Sequence, residues 1–458
     1  MIAPVLCVDV GSTFTKGVLV DPDGGAVLAT ASRPTTWRTD VLEGIDAVRA
    51  AVQDRAGAGR AEVLACSSAG GGLRIAVVGY ERLVTAEAGH RVALTAGGRV
   101  VHLHAGPLDA GGVAALRAAR PDVVLLVGGT DGGDADVVLH NAGRLARTRI
   151  AAPVVYAGNA DAAGPARDLL AATGRRVTVA ANVLPRIGVL DPQPARAAIR
   201  EVFLRHVIGG KGLSRGPAFA RLVRAATPDA VLAGVEVLAD GAPGVPGTGD
   251  VLVVDVGGAT TDVCSALSAA TLAPAGSLPR GDVVAALPRA RSVEGDLGMR
   301  WSAPGVVAAA GAEGLLAGLA PERLHRLEEH ARRCADTPDL LAGTAAEAED
   351  DALLAAGAVT VAVRRHARPA TPSAGPRPLG DVRWVVGSGG VFRHGDDALR
   401  RAVLAPLLAD HAGGWRVPRD ARLAVDADHL LFAAGLLAAR APAAAAALAG
   451  ACLHEVPT

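Results

Sequence analysis

The sequence predicts an α/β protein built in two lobes, and three observations carry that reading. The stretch "CVDVGSTFTKGVLV", residues 7–20, returns in altered form as "VVDVGGATTDV", residues 253–263. Between the two copies, buried-strand runs alternate with glycine loops and helix-spaced segments, which is the text of a parallel sheet with covering helices. The Gly/Pro-rich segment "ADGAPGVPGTGD" then stands immediately before the second copy and marks a lobe boundary near residue 248.

Taken in order, "VLCVDVG" reads as a buried strand, and "TKGVLVDPDGGAVLATA" as two more strands around a D-P-D-G-G turn. "DVLEGIDAVRAAVQDRAG" spaces Val41, Ile45, Val48 and Val52 for one helix face and stops near Gly57. "AEVLACSSAGGGL" is a strand that ends in a glycine run. "PDVVLLVGGTDGGDADVVLHNAGRLA" and "APVVYAGNADAAGPARDLLAATG" each give strand, loop and helix, and "RRVTVAANV" a further strand. Their loops gather at the carboxyl ends of parallel strands, where such sheets bind ligands. After the boundary come a strand-turn-strand at 251–267, a mainly helical section to about residue 366, and the low-complexity linker "ARPATPSAGPRPLG". "VRWVVGSGGVFRH" follows as strand, glycine turn and helix start, and "DADHLLFAAGLLAARA" as a terminal amphipathic helix.

Composition narrows the function classes. A chain of 458 residues with 50% hydrophobic and 20% charged residues is globular and exceeds one compact core. The formal charge is zero and no Lys/Arg block occurs, so nothing draws the protein to nucleic acid or an anionic membrane. "MIAPVLCVDV" lacks a signal-peptide pattern, and the apolar "LLFAAGLLAARAPAAAAALAG" is interrupted by Arg440 and Pro442, so a cytoplasmic location without a membrane span is expected. Cysteines 7, 66, 264, 334 and 452 form no C-x-x-C pair, which argues for free thiols and against an iron-sulfur or structural zinc site. His102 and His104 share one face of a strand in "VHLHAGP", but little nearby would complete a metal shell, and a wet strand face is the plainer reading. Of the 46 basic residues only Lys16 and Lys211 are lysine; Lys16 lies in the first motif, and Lys211 in "HVIGGKGLSRG" without an evident role.

A nucleotide needs backbone N–H groups converging on phosphate oxygens, hydroxyls beside them, and a carboxylate holding magnesium through water. In "DVGSTFTK" these are Asp9 as carboxylate, Gly11, Ser12 and Thr13 as the turn, and Lys16 as the cation. "DVGGATTD" supplies Asp255, Gly257, Gly258, Thr260, Thr261 and Asp262 in corresponding order. "VVGSGGVFRH" adds Gly387, Ser388, Gly389 and Gly390 between strand and helix, suited to the ribose and α-phosphate. Each stretch alone is an ordinary turn, because Gly and Asp are favoured turn residues. Three of them in this order are specific, and two related hairpins would clamp one triphosphate between two lobes. No G-x-x-x-x-G-K-[ST] occurs, and no G-x-G-x-x-G opens a helix with a ribose-binding acid in place.

This trio resembles the phosphate-1, phosphate-2 and adenosine motifs of the actin, Hsp70 and sugar-kinase superfamily. Within it, "DVGSTFTK", "CSSAGGGLR", "LLVGGTDGG", "VEGDLGMRWSAPGV", "VGSGGVFRH" and "DADHLLFAAGLL" resemble the accessory proteins of adenosylcobalamin-dependent glutamate (methylaspartate) mutase, the MutL type unrelated to DNA repair. The resemblance runs from residue 7 to about 437. It implies a two-lobed actin-like ATPase with duplicated ribonuclease-H-like domains and a nucleotide cleft between lobes: residues 1–248 completed by about 428–458, and residues 249–427. It further implies an ATP- and magnesium-binding chaperone, a weak ATPase, that reactivates a cobalamin-dependent mutase whose subunits are its protein partners. Asp9 and Asp255 would orient magnesium-bound water; Ser12, Thr13, Lys16, Thr260 and Thr261 would hold the β- and γ-phosphates, and Gly387 to Gly390 the nucleoside. Asp131, Glu294 or Asp296 is the candidate for activating the attacking water, each with a turn or cap role as the alternative. Ser67 to Gly72 is either an anion-binding nest or a strand exit. The competing readings are a small-molecule kinase on the same scaffold, a diol-dehydratase-type reactivase, a radical-dehydratase activator, disfavoured by the cysteine spacing, and an actin-like filament protein.

Overall fold

The computed structural model describes residues 3–56, 61–272, 286–369, 376–411, 413 and 415–457. They fall into two compact units. The first takes the described residues up to 234, 286–287 and 432–445; the second takes those of 235–272, 288–431 and 446–457.

The first unit begins with an antiparallel meander, β1 (Val5–Val10), β2 (Phe14–Val20) and β3 (Val27–Pro34), turned between β2 and β3 at the D-P-D-G-G segment. β4 (Glu62–Ser67) joins β1 in parallel. The chain then builds a separate parallel sheet from β5 (Leu73–Gly79), β6 (Gly98–Ala105), β7 (Val123–Leu126), β8 (Val154–Tyr156) and β9 (Val177–Val179), in the order β6-β5-β7-β8-β9. It returns as β10 (Val223–Ala226), parallel to β4, which completes the order β10-β4-β1-β2-β3. A meander followed by parallel strands on its β1 side is the ribonuclease-H-like arrangement.

Packing explains why β1 is apolar throughout. Leu6, Val8 and Val10 meet Val41, Ile45, Val48 and Val52 of the helix Val41–Ala56, all fully or nearly fully buried. Each of those four helix residues contributes about 1.5–3 kcal/mol relative to leaving it exposed. Cys7, between Leu6 and Val8, faces Ala433 of the helix Leu431–Leu437, its Sγ 3.8 Å from that carbonyl oxygen, and burial pushes its thiol up to about 12. With both faces covered, alternation disappears from the strand text.

The second unit opens with the two-residue strands β11 (Gly241–Ala242) and β12 (Val245–Pro246) and then repeats the meander as β13 (Val251–Val256), β14 (Thr261–Ala266) and β15 (Arg289–Glu294). β16 (Trp384–Gly389) and β17 (Arg422–Val425) add in parallel, and β18 (His454–Glu455) closes the edge, giving β15-β14-β13-β16-β17-β18. The ribonuclease-H-like order therefore occurs in both units, which is the duplication read in the sequence. Helices Ala303–Ala312, Pro321–Asp336 and Ala345–Ala367 form the helical section; Leu354, Ala358, Val361 and Ala362 of the last are buried in the core beneath β13. Residues 370–375 of the expected linker lie outside the described residues. The C-terminal segment is shared: 432–445 belong to the first unit, whereas from 446 on the chain belongs to the second, since β18 pairs with β17 and Val456 enters that core. No described helix is long and apolar enough to cross a membrane.

A buried ion cluster sets the start of the helix Thr227–Asp240, whose first residue matters below. Asp229, 1% exposed, accepts from Arg196 Nε at 2.9 Å and Arg200 Nε at 2.5 Å. Removing the carboxylate would leave Arg196 buried without its counter-charge. Asp229→Ala is expected to cost about 3–5 kcal/mol, checked by urea unfolding; a loss within the range of ordinary surface changes would show the cluster to be dispensable.

Candidate functional site

Strand register makes the two sequence motifs structurally equivalent. In the first hairpin Asp9 pairs with Lys16 and Val10 with Thr15; in the second Asp255 pairs with Asp262 and Val256 with Thr261. The turns close alike, with Gly11 N donating to Phe14 O at 3.1 Å and Gly257 N to Thr260 O at 2.9 Å. A Cβ on Gly11 would lie 2.8 Å from the Phe14 oxygen, so the turn requires glycine.

At the tips, backbone donors stand unspent. Among the described residues the N–H groups of Ser12 and Thr13, and of Gly258, Ala259 and Thr260, have no hydrogen-bond partner, while the Ser12 and Thr13 residues are exposed. Successive free amides of this kind form a concave donor set for an anion. The carbonyls of the second turn are committed instead: Gly257 O accepts from Met299 N at 3.0 Å, Gly258 O from Arg300 N at 2.8 Å, and Ala259 O from Ser302 Oγ at 2.8 Å. That division leaves the positive ends of the peptides for a ligand.

Asp9 is buried at the end of β1, and its Oδ1 accepts from Thr227 Oγ1 at 2.6 Å, with Cys66 Sγ at 3.7 Å. Thr227 is fixed by the Asp229 cluster two residues on, so the carboxylate is held by an element over 200 residues away in sequence. Burial and the neighbouring Asp9 carboxylate push the Cys66 thiol well above its ordinary range, so it stays protonated beside Asp9. Lys16 is half-buried on β2 and makes no ion pair among the described residues. Asp262, its counterpart, is held by Arg291.

Two threonines point inward. Thr261 is fully buried and donates to Leu297 O at 2.5 Å, as its equivalent Thr15 pairs with Thr35 at 3.0 Å, so the hydroxyl at the second tip is that of Thr260. In the adenosine-like stretch, Gly387, Ser388 and Gly389 belong to β16, and Gly390 starts the helix Gly390–His394. A Cβ on Gly387 would meet the Phe392 ring at 2.8 Å, Ser388 is buried beside Asp255 in register, and Gly389 adopts a φ of 106° against the Val256 carbonyl. These glycines allow close packing at the end of β13.

The candidates for water activation are engaged. Asp131 lies after β7, in the inserted sheet, where it accepts from Asn182 Nδ2 at 2.8 Å and Ala160 N at 2.9 Å. Glu294 and Asp296 both receive Arg365, at 2.8 Å and 2.7 Å; burial lifts Glu294 above the usual carboxylate range, and the Arg365 hydrogen bonds hold Asp296 below it. Ser67 to Gly72 is a strand exit whose Gly70, Gly71 and Gly72 all take positive φ. Lys211 acquires a role: it reaches Asp122 at the foot of β7 at 2.8 Å. His102 and His104 stack with ring centroids 6.4 Å apart, and no third ligand joins them among the described residues.

Sequence reading missed three groups: Thr227, Arg365 and Asp426. Asp426 follows β17 directly, as Thr227 follows β10, and caps the next turn by accepting from Leu430 N at 2.7 Å and Leu431 N at 3.3 Å. Its signal was present in "DADHLL", an acid before a helix. Burial raises Asp426 to about 7, the two N–H bonds opposing and the nearby Asp255 and Asp428 charges adding. The folded protein thus holds this proton more tightly than the unfolded chain, so stability is lost as pH rises from about 4 to about 7 and is level above. Asp426→Asn is expected to gain on wild type across that window by an amount on the order of a few kcal/mol, read from thermal unfolding at a series of pH values; a difference independent of pH would refute the shift.

Comparison with known proteins follows the same lines. Residues 5–453 match the family described as "MutL protein". Protein MutL of Clostridium tetanomorphum is 33% identical over 450 residues, covering 95% of this chain and 96% of that one. Among solved structures, nucleotide-free acetone carboxylase is similar at 14% identity and a TM-score of 0.39, covering 95% of this chain and 70% of that one. The activator of 2-hydroxyisocaproyl-CoA dehydratase from Clostridium difficile, with bound ADPNP, is similar at 11% identity and 0.30, covering 98% and 93%. Those two likenesses are too weak to add to the strand order, whereas the match to the family spans nearly the whole sequence. The chain belongs to the MutL protein family.

Proposed function

We propose that this protein is an ATP-binding accessory factor that serves an adenosylcobalamin-dependent mutase of the glutamate mutase type, acting in the cytoplasm as a reactivating chaperone. The observation that carries nucleotide binding is the pair of equivalent hairpins, each with an aspartate at the end of a first strand and unspent amides at its tip. Family membership and the resemblance of the motifs support the mutase as client.

In this reading the amides of Ser12, Thr13, Gly258 and Ala259, with the hydroxyls of Ser12, Thr13 and Thr260, take the phosphate oxygens. Lys16 supplies the compact cation. Asp9 fits a water-mediated magnesium role, because Thr227 fixes Oδ1 while Oδ2 has no partner among the described residues. Asp255 takes the equivalent place in the second hairpin. Magnesium, when bound, would neutralise the β- and γ-phosphate oxygens. Because a triphosphate offers the tip amides more oxygens than a diphosphate, ATP and ADP would differ in how many they engage, and that difference would supply the free energy for a population shift. The shift would open a client whose cofactor has been damaged.

Asp9→Asn and Asp255→Asn, which keep the size of each side chain, are expected to lower magnesium-dependent ATP affinity and turnover at least about tenfold, a loss of about 1.4 kcal/mol or more, with unchanged unfolding midpoints. Full retention in both variants would remove the phosphate assignment. The wild-type protein with ATP and fresh adenosylcobalamin is expected to restore a cobalamin-inactivated glutamate mutase. If it binds the mutase yet restores nothing, the chaperone reading fails while nucleotide binding stands.

A further inference from the structure

Among the described residues, one cluster of ligand-type side chains lies outside the nucleotide machinery. His330 and Cys334, four residues apart on the helix Pro321–Asp336, share one face of it and are 3% and 0% exposed. Asp351 of the helix Ala345–Ala367 meets them. His330 Nε2 lies 2.9 Å from Asp351 Oδ1 and 3.5 Å from Cys334 Sγ, and all three ligand atoms fall within 4.8 Å of one another.

The imidazole nitrogen is over-subscribed. Nε2 carries one proton or one lone pair, yet two groups face it, and the buried Nδ1 has no hydrogen-bond partner among the described residues. A divalent ion resolves that convergence, since a tetrahedral centre with bonds of about 2.0–2.3 Å holds its ligands roughly 3.3–3.7 Å apart. The Nε2–Sγ separation of 3.5 Å falls in that range, and the Nε2–Oδ1 separation of 2.9 Å is a few tenths of an ångström shorter. The carboxylate is also oriented: Arg300 Nη2 reaches Asp351 Oδ2 at 3.2 Å and Nη1 reaches Oδ1 at 3.3 Å, with Cys334 Sγ 4.0 Å from Nη1. An outer partner of this kind fixes a ligating oxygen.

The geometry points to a divalent transition-metal site of the zinc class, formed by His330 Nε2, Cys334 Sγ and Asp351 Oδ1, with the fourth position left to water. One nitrogen, one sulfur and one oxygen suit a borderline ion, not magnesium or calcium. Binding replaces the thiol proton, which leaves to solvent, by the metal–sulfur bond. The absence of C-x-x-C in the sequence does not bear on it, because a single thiolate supplements two other ligand types. The ion would join the two helices, and through Arg300, whose amide holds Gly258 O, it would reach the second phosphate turn.

The test uses the full-length protein dialysed against excess zinc chloride and then against metal-free buffer, with zinc counted and its ligands read by X-ray absorption. One zinc per chain is expected, with one sulfur at about 2.3 Å and the remaining shell of nitrogen and oxygen at about 2.0–2.2 Å. Cys334→Ala should abolish the sulfur shell, and Asp351→Asn should weaken zinc binding at least about tenfold. Absence of retained zinc, a shell without sulfur, or unchanged affinity in both folded variants would overturn the site. Should those variants fail to fold, Cys334→Ser, closer in size to the native residue, decides: a sulfur shell kept in it would overturn the site.

Discussion

Both candidate phosphate sites depend on where a first strand stops. Each sheet drives its opening strand through an apolar layer and ends it on Asp-Val-Gly, so an acid is carried to the rim of the core. Burying a carboxylate costs several kcal/mol unless donors meet it. Asp9 meets that demand through Thr227 and the Cys66 thiol, which in turn requires β10, the helix after it and the buried Arg196–Asp229–Arg200 cluster. A long insertion can thus lie between β4 and β10, provided the chain returns with a threonine at the right place.

The duplication is faithful in backbone and divergent in charge. Lys16 in one hairpin holds the position that Asp262 holds in the other, Cys66 neighbours Asp9 as Ser388 neighbours Asp255, and Thr227 is matched by Asp426. The first unit therefore surrounds its aspartate with a cation, a hydroxyl and a thiol. The second crowds acids together, raises one of them well above the usual carboxylate range by burial and pairs another with Arg291. The two hairpins thus share a backbone and present different charge.

The elements legible in the sequence were those with local causes. Val41, Ile45, Val48 and Val52 announced their helix by spacing, and the D-P-D-G-G turn its hairpin by residue type. The repeated Asp-Val-Gly identified the fold class because a turn that needs glycine beside a strand that needs apolar residues is an unusual combination. What escaped was non-local. Thr227 lies 218 residues from its partner, Arg365 is 71 residues from Glu294, and neither has a local pattern that singles it out. Thr261 looked equivalent to Thr260 in the text, but strand alternation sends the two hydroxyls to opposite sides, and only register settles which one turns inward.

The three carbonyls of the Gly257–Ala259 turn are all bonded to residues 299–302, which run straight into the helix Ala303–Ala312. A turn anchored in this way cannot tilt without moving that helix. A macromolecule that binds one placement of the helical section better than another would therefore alter the energy of an anion at the turn, and linkage would require the anion to alter that binding by the same factor. The three bonds work as a lever with its fulcrum in the backbone, and the side chains along it are free to vary with whatever it is made to lift.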